Sequence, residues 1–206
     1  MLKLSFKNVQ VAIAGKVLLA ETGESLAGAR VEMIEMPSKL QRILQLKAMQ
    51  VGKKWDTLPE RIDRQFTRGD GSFFFTDLPL GDYVLQASVP DGGDRYQAVT
   101  RAFQVKQQQQ QTGINFATAT GNFEILPTGL KGQILGNGQA IAYAKIRAVE
   151  DNAETLSDVD GKFRFVGLSA STQPSVFQIS RTDHPSQRRS VMLQRGVMTT
   201  IDFVLD

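Results

Sequence analysis

The sequence predicts an all-β chain built as two tandem Ig-like, Greek-key β-sandwiches, the first of them carrying a helical insertion. Three observations predict it. The first is the stretch 67–85. Asp70-Gly71 is a tight-turn signal, because Gly takes a positive φ and Asp bonds its own backbone. Phe73 and Phe75 then alternate with Ser72 and Thr76, a corner follows at Leu78 to Gly81, and Tyr83, Leu85 and Ala87 begin a second alternating run. Strands around a tight turn, followed by a corner into the next strand, are a sandwich pattern. The second observation is that the stretch recurs: Asp160-Gly161, Phe163, Phe165 and Leu168 answer Asp70-Gly71, Phe73, Phe75 and Leu78. The third is that the two halves open alike, with Ala27 to Val31 matched by Ala140 to Ile146.

Taken in order, residues 11–20 read as the first strand and 26–35 as the second, with Val31 and Met33 on one face. In the second half, 130–135 runs into a Gly136-Asn137-Gly138 turn and then the strand ending at Ile146. Both halves are expected to close in the same way. Val105 precedes Ile114 and Phe116 across the polar run Lys106 and Gln107 to Gln111, and Met192 precedes Ile201 and Phe203 across Gln194-Arg195-Gly196. The glutamine run reads as a solvated hairpin loop. The expected division is a first sandwich over 1–118 with its insertion at about 36–63, a linker over 119–128, and a second, degenerate sandwich over 129–206.

Composition narrows the function. At 206 residues the chain suits one large domain or two small ones, and the repeat favours two. No apolar run approaches the ~20 residues a membrane helix needs. With no cysteine there are no disulfides, no thiolate chemistry and no Cys-ligated zinc. Gly15-Lys16 interrupts the first apolar run, which reads as a strand rather than a leader, so a cytoplasmic location is expected. The net charge is only +3, but residues 37–66 hold seven Lys or Arg against three acids. That excess suits an anionic partner and does not indicate nucleic-acid binding.

The chemistry-bearing residues are few. His184 is the single histidine and is followed by Pro185, and no G-x-S-x-G elbow accompanies it. Asp91/Asp94 and Asp158/Asp160 cluster oxygens at turns, but neither set has the ligand count of a known calcium loop. No catalytic residue, metal site or cofactor is therefore expected. The insertion is more informative. Pro37-Ser38 suits a helix start and Gly52 an end, and Leu40, Ile43, Leu44, Ala48, Val51 and Trp55 recur at helical spacing. Leu46 and Met49 fall off that stripe, so one home surface does not cover every apolar side chain. The expected protein-interaction residues are Leu40, Ile43, Leu46, Lys47, Met49, Lys53, Lys54 and Trp55. Packing of the helix against its own sandwich is the competing expectation.

The repeated core resembles the carboxypeptidase regulatory-like family, a small transthyretin-like β-sandwich. Gly15 and Val17, the run Leu26 to Val31, the turn from Thr67 through Asp70-Gly71 to Phe73, Phe75 and Leu78, and Gly81, Tyr83 and Leu85 fill its pattern. In the second copy residues 169–174 replace the Gly-x-Tyr corner, with Phe177 standing in for the tyrosine. The resemblance implies a sandwich without catalytic residues. The insertion more loosely resembles sandwich proteins of phage-tail-like contractile injection systems. Together these imply a non-catalytic structural or adaptor subunit at a baseplate or cap, with other protein subunits as partners and self-association within the particle compatible with it. A carbohydrate- or matrix-binding module, using Trp55 and Tyr96 as platforms, is the alternative.

Overall fold

The computed structural model describes residues 10–58, 61–106 and 119–205. The chain forms two compact units, one of residues 1–90 and 98–125, the other of 91–97 and 126–206. Both are built from strands, and the chain carries one α-helix among the described residues, as an all-β sandwich class requires. That helix is too short to cross a membrane.

In chain order the first half contributes β1 (Val11–Leu19), β2 (Arg30–Glu35), α1 (Ser38–Val51), β3 (Arg64–Phe66), β4 (Ser72–Thr76), β5 (Gly81–Ser88), β6 (Tyr96–Gln97), β7 (Val99–Val105), β8 (Ala119–Thr120) and β9 (Phe123–Pro127). Within the first unit one sheet orders β3-β2-β5-β7, all antiparallel neighbours. The other places β1 between antiparallel β4 and the parallel β8 and β9. Alternation decides which side chains meet. Ile13, Val17, Val31, Met33, Phe73, Phe75, Tyr83, Leu85, Phe103, Phe123 and Ile125 are all buried. Phe73, Phe103 and Phe123 meet at ring separations of 5.7 and 6.0 Å.

The second half contributes β10 (Gly129–Gly136), β11 (Gln139–Ala140), β12 (Lys145–Ala148), β13 (Ala153–Leu156), β14 (Lys162–Val166), β15 (Ser175–Arg181), β16 (His184–Val191), β17 (Met198–Thr200) and β18 (Phe203–Leu205). One sheet of this unit orders β13-β12-β15-β16. In the other, β10 pairs with β11 and β14 antiparallel and with β17 and β18 in parallel. Its core gathers Leu130, Ile134, Ile146, Phe163, Phe165, Phe177, Ile179 and Phe203.

The same bonds fix both units. Thr67 Oγ1 accepts from the Ala29 N–H and donates to the Leu26 carbonyl, and Ser157 Oγ does the same between Ala144 and Ile141. The Asn122 carboxamide oxygen accepts from the Lys16 N–H at 3.0 Å, and the Asp202 carboxylate accepts from the Gln133 N–H at 2.9 Å. Gly15 and Gly132 are required for close approach, because a Cβ would stand 1.9 Å from the Gly121 carbonyl oxygen and 1.6 Å from that of Ile201.

Three expectations change. Residues 119–128, expected as a linker, hold β8 and β9. Phe123 and Ile125 alternate with the exposed Glu124 and lie beside Val17 and Leu19 of β1, a buried position that a linker does not occupy. The second-half counterpart of Phe123 is Phe203, parallel to Ile134 on β10. Phe203 therefore does not close a hairpin with the strand ending near Met192. Phe177 lies opposite Ala148 as Leu85 lies opposite Met33, so Ser175, not Phe177, takes the place of Tyr83. The glutamine loop, the strand at Ile114 and Phe116, and the N-terminal stretch 1–9 lie outside the described residues.

Candidate protein-interaction site

The connection from β2 to β3 carries the insertion. In the second unit the corresponding connection, β12 to β13, is the short turn 149–152. Helix α1 starts after Pro37, whose fixed φ suits a helix entrance. Pro37 sits on Gly81, where φ is +142° and a Cβ would stand 2.7 Å from the proline ring, so this anchor needs glycine. The helix ends at Gly52 with φ +66°, and a 3-10 turn, Gly52–Thr57, leads back.

An ion cluster fixes the returning segment. The Arg61 guanidinium donates to both carboxylate oxygens of Asp63, lies 3.4 Å from Glu32 and 3.5 Å from Asp56, and stacks over Trp55 at 4.6 Å. Arg64 donates to Glu32 at 2.8 Å and to the Asp56 carbonyl at 2.8 Å. Arg61 and Asp63 side chains are each only 7% exposed. The hydrogen bond to Asp63, opposed by burial and reinforced by the charges of Asp63, Glu32 and Asp56, holds the Arg61 pKa above its ordinary value. Apart from Trp55, none of these residues was singled out from the sequence. Asp56, Arg61, Asp63 and Arg64 stand close together there, but no spacing shows that they converge on Glu32.

Leu40 and Leu44 are buried, so Leu40 leaves the set of docking residues and belongs to the home contact. Trp55 is half-buried with a ring face occupied by Arg61, which removes it as an open platform for a partner or a glycan. Ile43, Leu46 and Met49 are 40%, 56% and 78% exposed. At 3.6 residues per turn, steps of three move roughly 60° around the helix. The three therefore form one ridge that leaves the buried face about 60° from Leu40 at Ile43 and winds to the opposite side of the helix at Met49. Lys47, Lys53 and Lys54 are exposed, as are Lys39 and Arg42.

The other sites offer less chemistry. His184 stands on β16 opposite Arg181. Asp158 accepts the N–H bonds of Asp160 and Lys162, a turn-capping arrangement, and Asp94 pairs with Arg195 at 3.7 Å. Among the described residues no three His, Asp or Glu side chains are grouped to hold a metal. Each unit carries a shallow open groove. One of about 520 Å³ runs past Lys16, Phe73, Phe74 and Asn122, and one of about 600 Å³ past Lys131, Lys162, Phe163 and Arg164.

No family model matches the chain, and no curated protein matches it. Solved structures do. The Bacillus anthracis TIE protein is 13% identical with a TM-score of 0.40, covering 95% of this chain and 33% of its own. A streptococcal ancillary pilin is 13% identical with a TM-score of 0.39, covering 98% and 64%. The chain thus spans about a third and just under two thirds of these two. The shaft pilin SpaA from Lactobacillus rhamnosus GG is 11% identical with a TM-score of 0.38, covering 96% and 97%. Likeness at that level does not extend to function.

Proposed function

We propose that this chain is a non-catalytic structural or adaptor subunit that joins a larger assembly through the arm inserted between β2 and β3. One observation carries the reading: a firmly rooted helix turns Ile43, Leu46 and Met49 outward, with the last 78% exposed. Leu40, Leu44, the Pro37–Gly81 contact and the Arg61 cluster already fix the helix at home. The exposed part of the ridge, greatest at Leu46 and Met49, is therefore available to a partner. A rigid element also loses little conformational entropy on binding.

The duplicated bond sets around Thr67 and Ser157, and around Asn122 and Asp202, support descent of both units from one carboxypeptidase regulatory-like sandwich. In that reading the arm is the element that one copy gained. The finer reading, a baseplate or cap subunit of a phage-tail-like contractile particle, draws on the insertion's sequence resemblance.

The test is sedimentation of the chain from its native cells. Wild type is expected in a high-mass particle. A variant with Ile43→Ser, Leu46→Ser and Met49→Ser is expected near the monomer mass, with an unchanged circular dichroism spectrum. A wild-type chain that sediments alone, or a variant that stays in the particle, sinks the proposal.

A further inference from the structure

We propose that the arm's partner is an acidic, apolar-striped helix of another polypeptide, laid along the Ile43–Leu46–Met49 ridge. This deepens the assembly reading and rests on it. Charge gives the sign of the partner. From Ser38 to Trp55 the chain carries Lys39, Arg42, Lys47, Lys53 and Lys54 and no carboxylate. Among the described residues none of these five forms an ion pair, whereas the arm's first acid, Asp56, already faces Arg61. Asp56 is thus engaged at the root of the arm, and the stretch 38–55 before it is purely cationic. A second copy of the same arm would meet like charge with like charge, so self-pairing through this face is disfavoured.

Shape gives the class of partner. Helix α1 has 14 residues, a rod of about 21 Å at 1.5 Å per residue. A ridge of residues spaced by three fits the groove of a facing helix, whose apolar side chains at i, i+3, i+4 and i+7 straddle it. Lys39 and Arg42 stand one turn before Ile43 and Leu46, on the ridge side itself. Facing glutamates at the rim of such a groove would reach them. An anionic membrane fits less well. An interfacial helix buries a broad apolar face and holds its cations opposite. Here the apolar face of Leu40 and Leu44 is spent inside the unit, and the narrow ridge left outside has cations along it.

The experiment uses the full chain and two labelled synthetic helical peptides sharing one Leu/Ile stripe, one flanked by Glu and one by Lys, read by fluorescence anisotropy. Phosphatidylglycerol vesicles serve as a third probe. The Glu peptide is expected to bind at least tenfold tighter than the Lys peptide and to weaken with added salt. Leu46→Ser with Met49→Ser is expected to cost at least tenfold. Lys39→Glu with Arg42→Glu is expected to reverse the preference. Melting temperature and circular dichroism of both variants serve as fold controls. Equal binding of the two peptides, or a preference unmoved by the charge swap, overturns the proposal, as does vesicle binding without Glu-peptide binding. If the Glu peptide fails while the ridge-dependent particle persists, the partner chemistry is wrong and the docking reading stands. If the particle shift fails as well, both fall.

Discussion

Two small side chains tie down corresponding loops in the two units. Thr67 is 6% and Ser157 1% exposed, and each hydroxyl both accepts and donates to backbone that has no other partner in the ladder. Thr67→Val keeps the volume but strands the buried Ala29 N–H and the partly buried Leu26 carbonyl, and Ser157→Ala strands the buried Ala144 N–H and Ile141 carbonyl. Each substitution should lower stability by roughly 2–6 kcal/mol, at about 1–3 kcal/mol per stranded group, with Thr67→Val toward the lower end, read as a lower urea midpoint. Tyr83 supplies a pH test. Its hydroxyl donates to the Pro79 carbonyl at 2.7 Å, and burial pushes its pKa up from 10.0 to about 12. Below pH 10 the phenol is neutral in both folded and unfolded chains and has no effect on the slope. Between 10 and 12 the unfolded chain loses the proton first, so stability falls as pH rises and levels off above 12. Tyr83→Phe should lower stability at neutral pH by about 1 kcal/mol and remove that alkaline slope, as pH-dependent urea midpoints will show. An unchanged slope would mean that another group titrates there. At Asp70 the Ser72 hydroxyl and then its N–H hold the carboxyl below its usual pKa. Asp70 thereby caps the turn that the sequence announced.

The arm is where two kinds of helix face separate. Leu44 is 7% exposed, and Leu44→Ala removes buried methyl groups from the home contact, at a cost of about 2–5 kcal/mol. Leu46→Ala and Met49→Ala should each stay within about 0.5 kcal/mol, because those side chains already face solvent. Arg61→Ala is expected to be the most damaging change in the arm, at about 3–5 kcal/mol, since it leaves the buried Asp63 without its countercharge. Thermal melts of the four variants check the order, and a large loss at Met49 would show that the ridge is packed at home. Much of this element was legible beforehand. Pro37-Ser38 and Gly52 mark both helix ends through backbone chemistry that is local to the sequence, and periodicity marks the face. The split within that face was not legible. Leu40 and Ile43 are equally apolar and three residues apart, and only the position of the underlying sheet makes one buried and the other exposed. The closing strand β9 was missed for a related reason. Its Phe123-Glu124-Ile125 alternation is present, but Gly121 and Pro127 at its ends read as breakers, and its parallel partner β1 lies more than a hundred residues earlier.

At the scale of the whole chain, the units are not cut from contiguous sequence. Residues 91–97 leave the first half and belong to the second unit, where β6 pairs Tyr96 with Pro127 and Gln97 with Leu126. Side chains far along the chain hold this excursion. Arg95 reaches Asp151, whose carboxylate, 8% exposed, also accepts from the Ser169 N–H and hydroxyl. Arg195 donates to the Tyr96 carbonyl at 2.9 Å, and the buried Thr128 hydroxyl donates to the Asp94 carbonyl and accepts from the Gly196 N–H. The turn-rich composition of 91–94 marks a loop, but the loop's destination depends on partners 34 to 99 residues away, which no local pattern encodes. The Asp91/Asp94 pair that suggested an ion site instead belongs to this strap. The consequence is measurable. Trypsin must fit several extended residues around its target bond, and Arg95 is held in a 3-10 turn leading into a paired strand. In the wild-type chain the bond after Arg95 should therefore be cut slowly. Asp151→Ala removes the carboxylate partner of Arg95, leaving its guanidinium only the 3.3 Å bond to the Ser169 hydroxyl, and leaves the Ser169 N–H unpaired, so local opening costs less and cleavage there should rise at least tenfold, while cleavage after the exposed Lys106 stays constant as an internal standard. Equal cleavage after Arg95 in both proteins would mean that the strap is held by its backbone pairing alone and that the buried carboxylate is not its anchor.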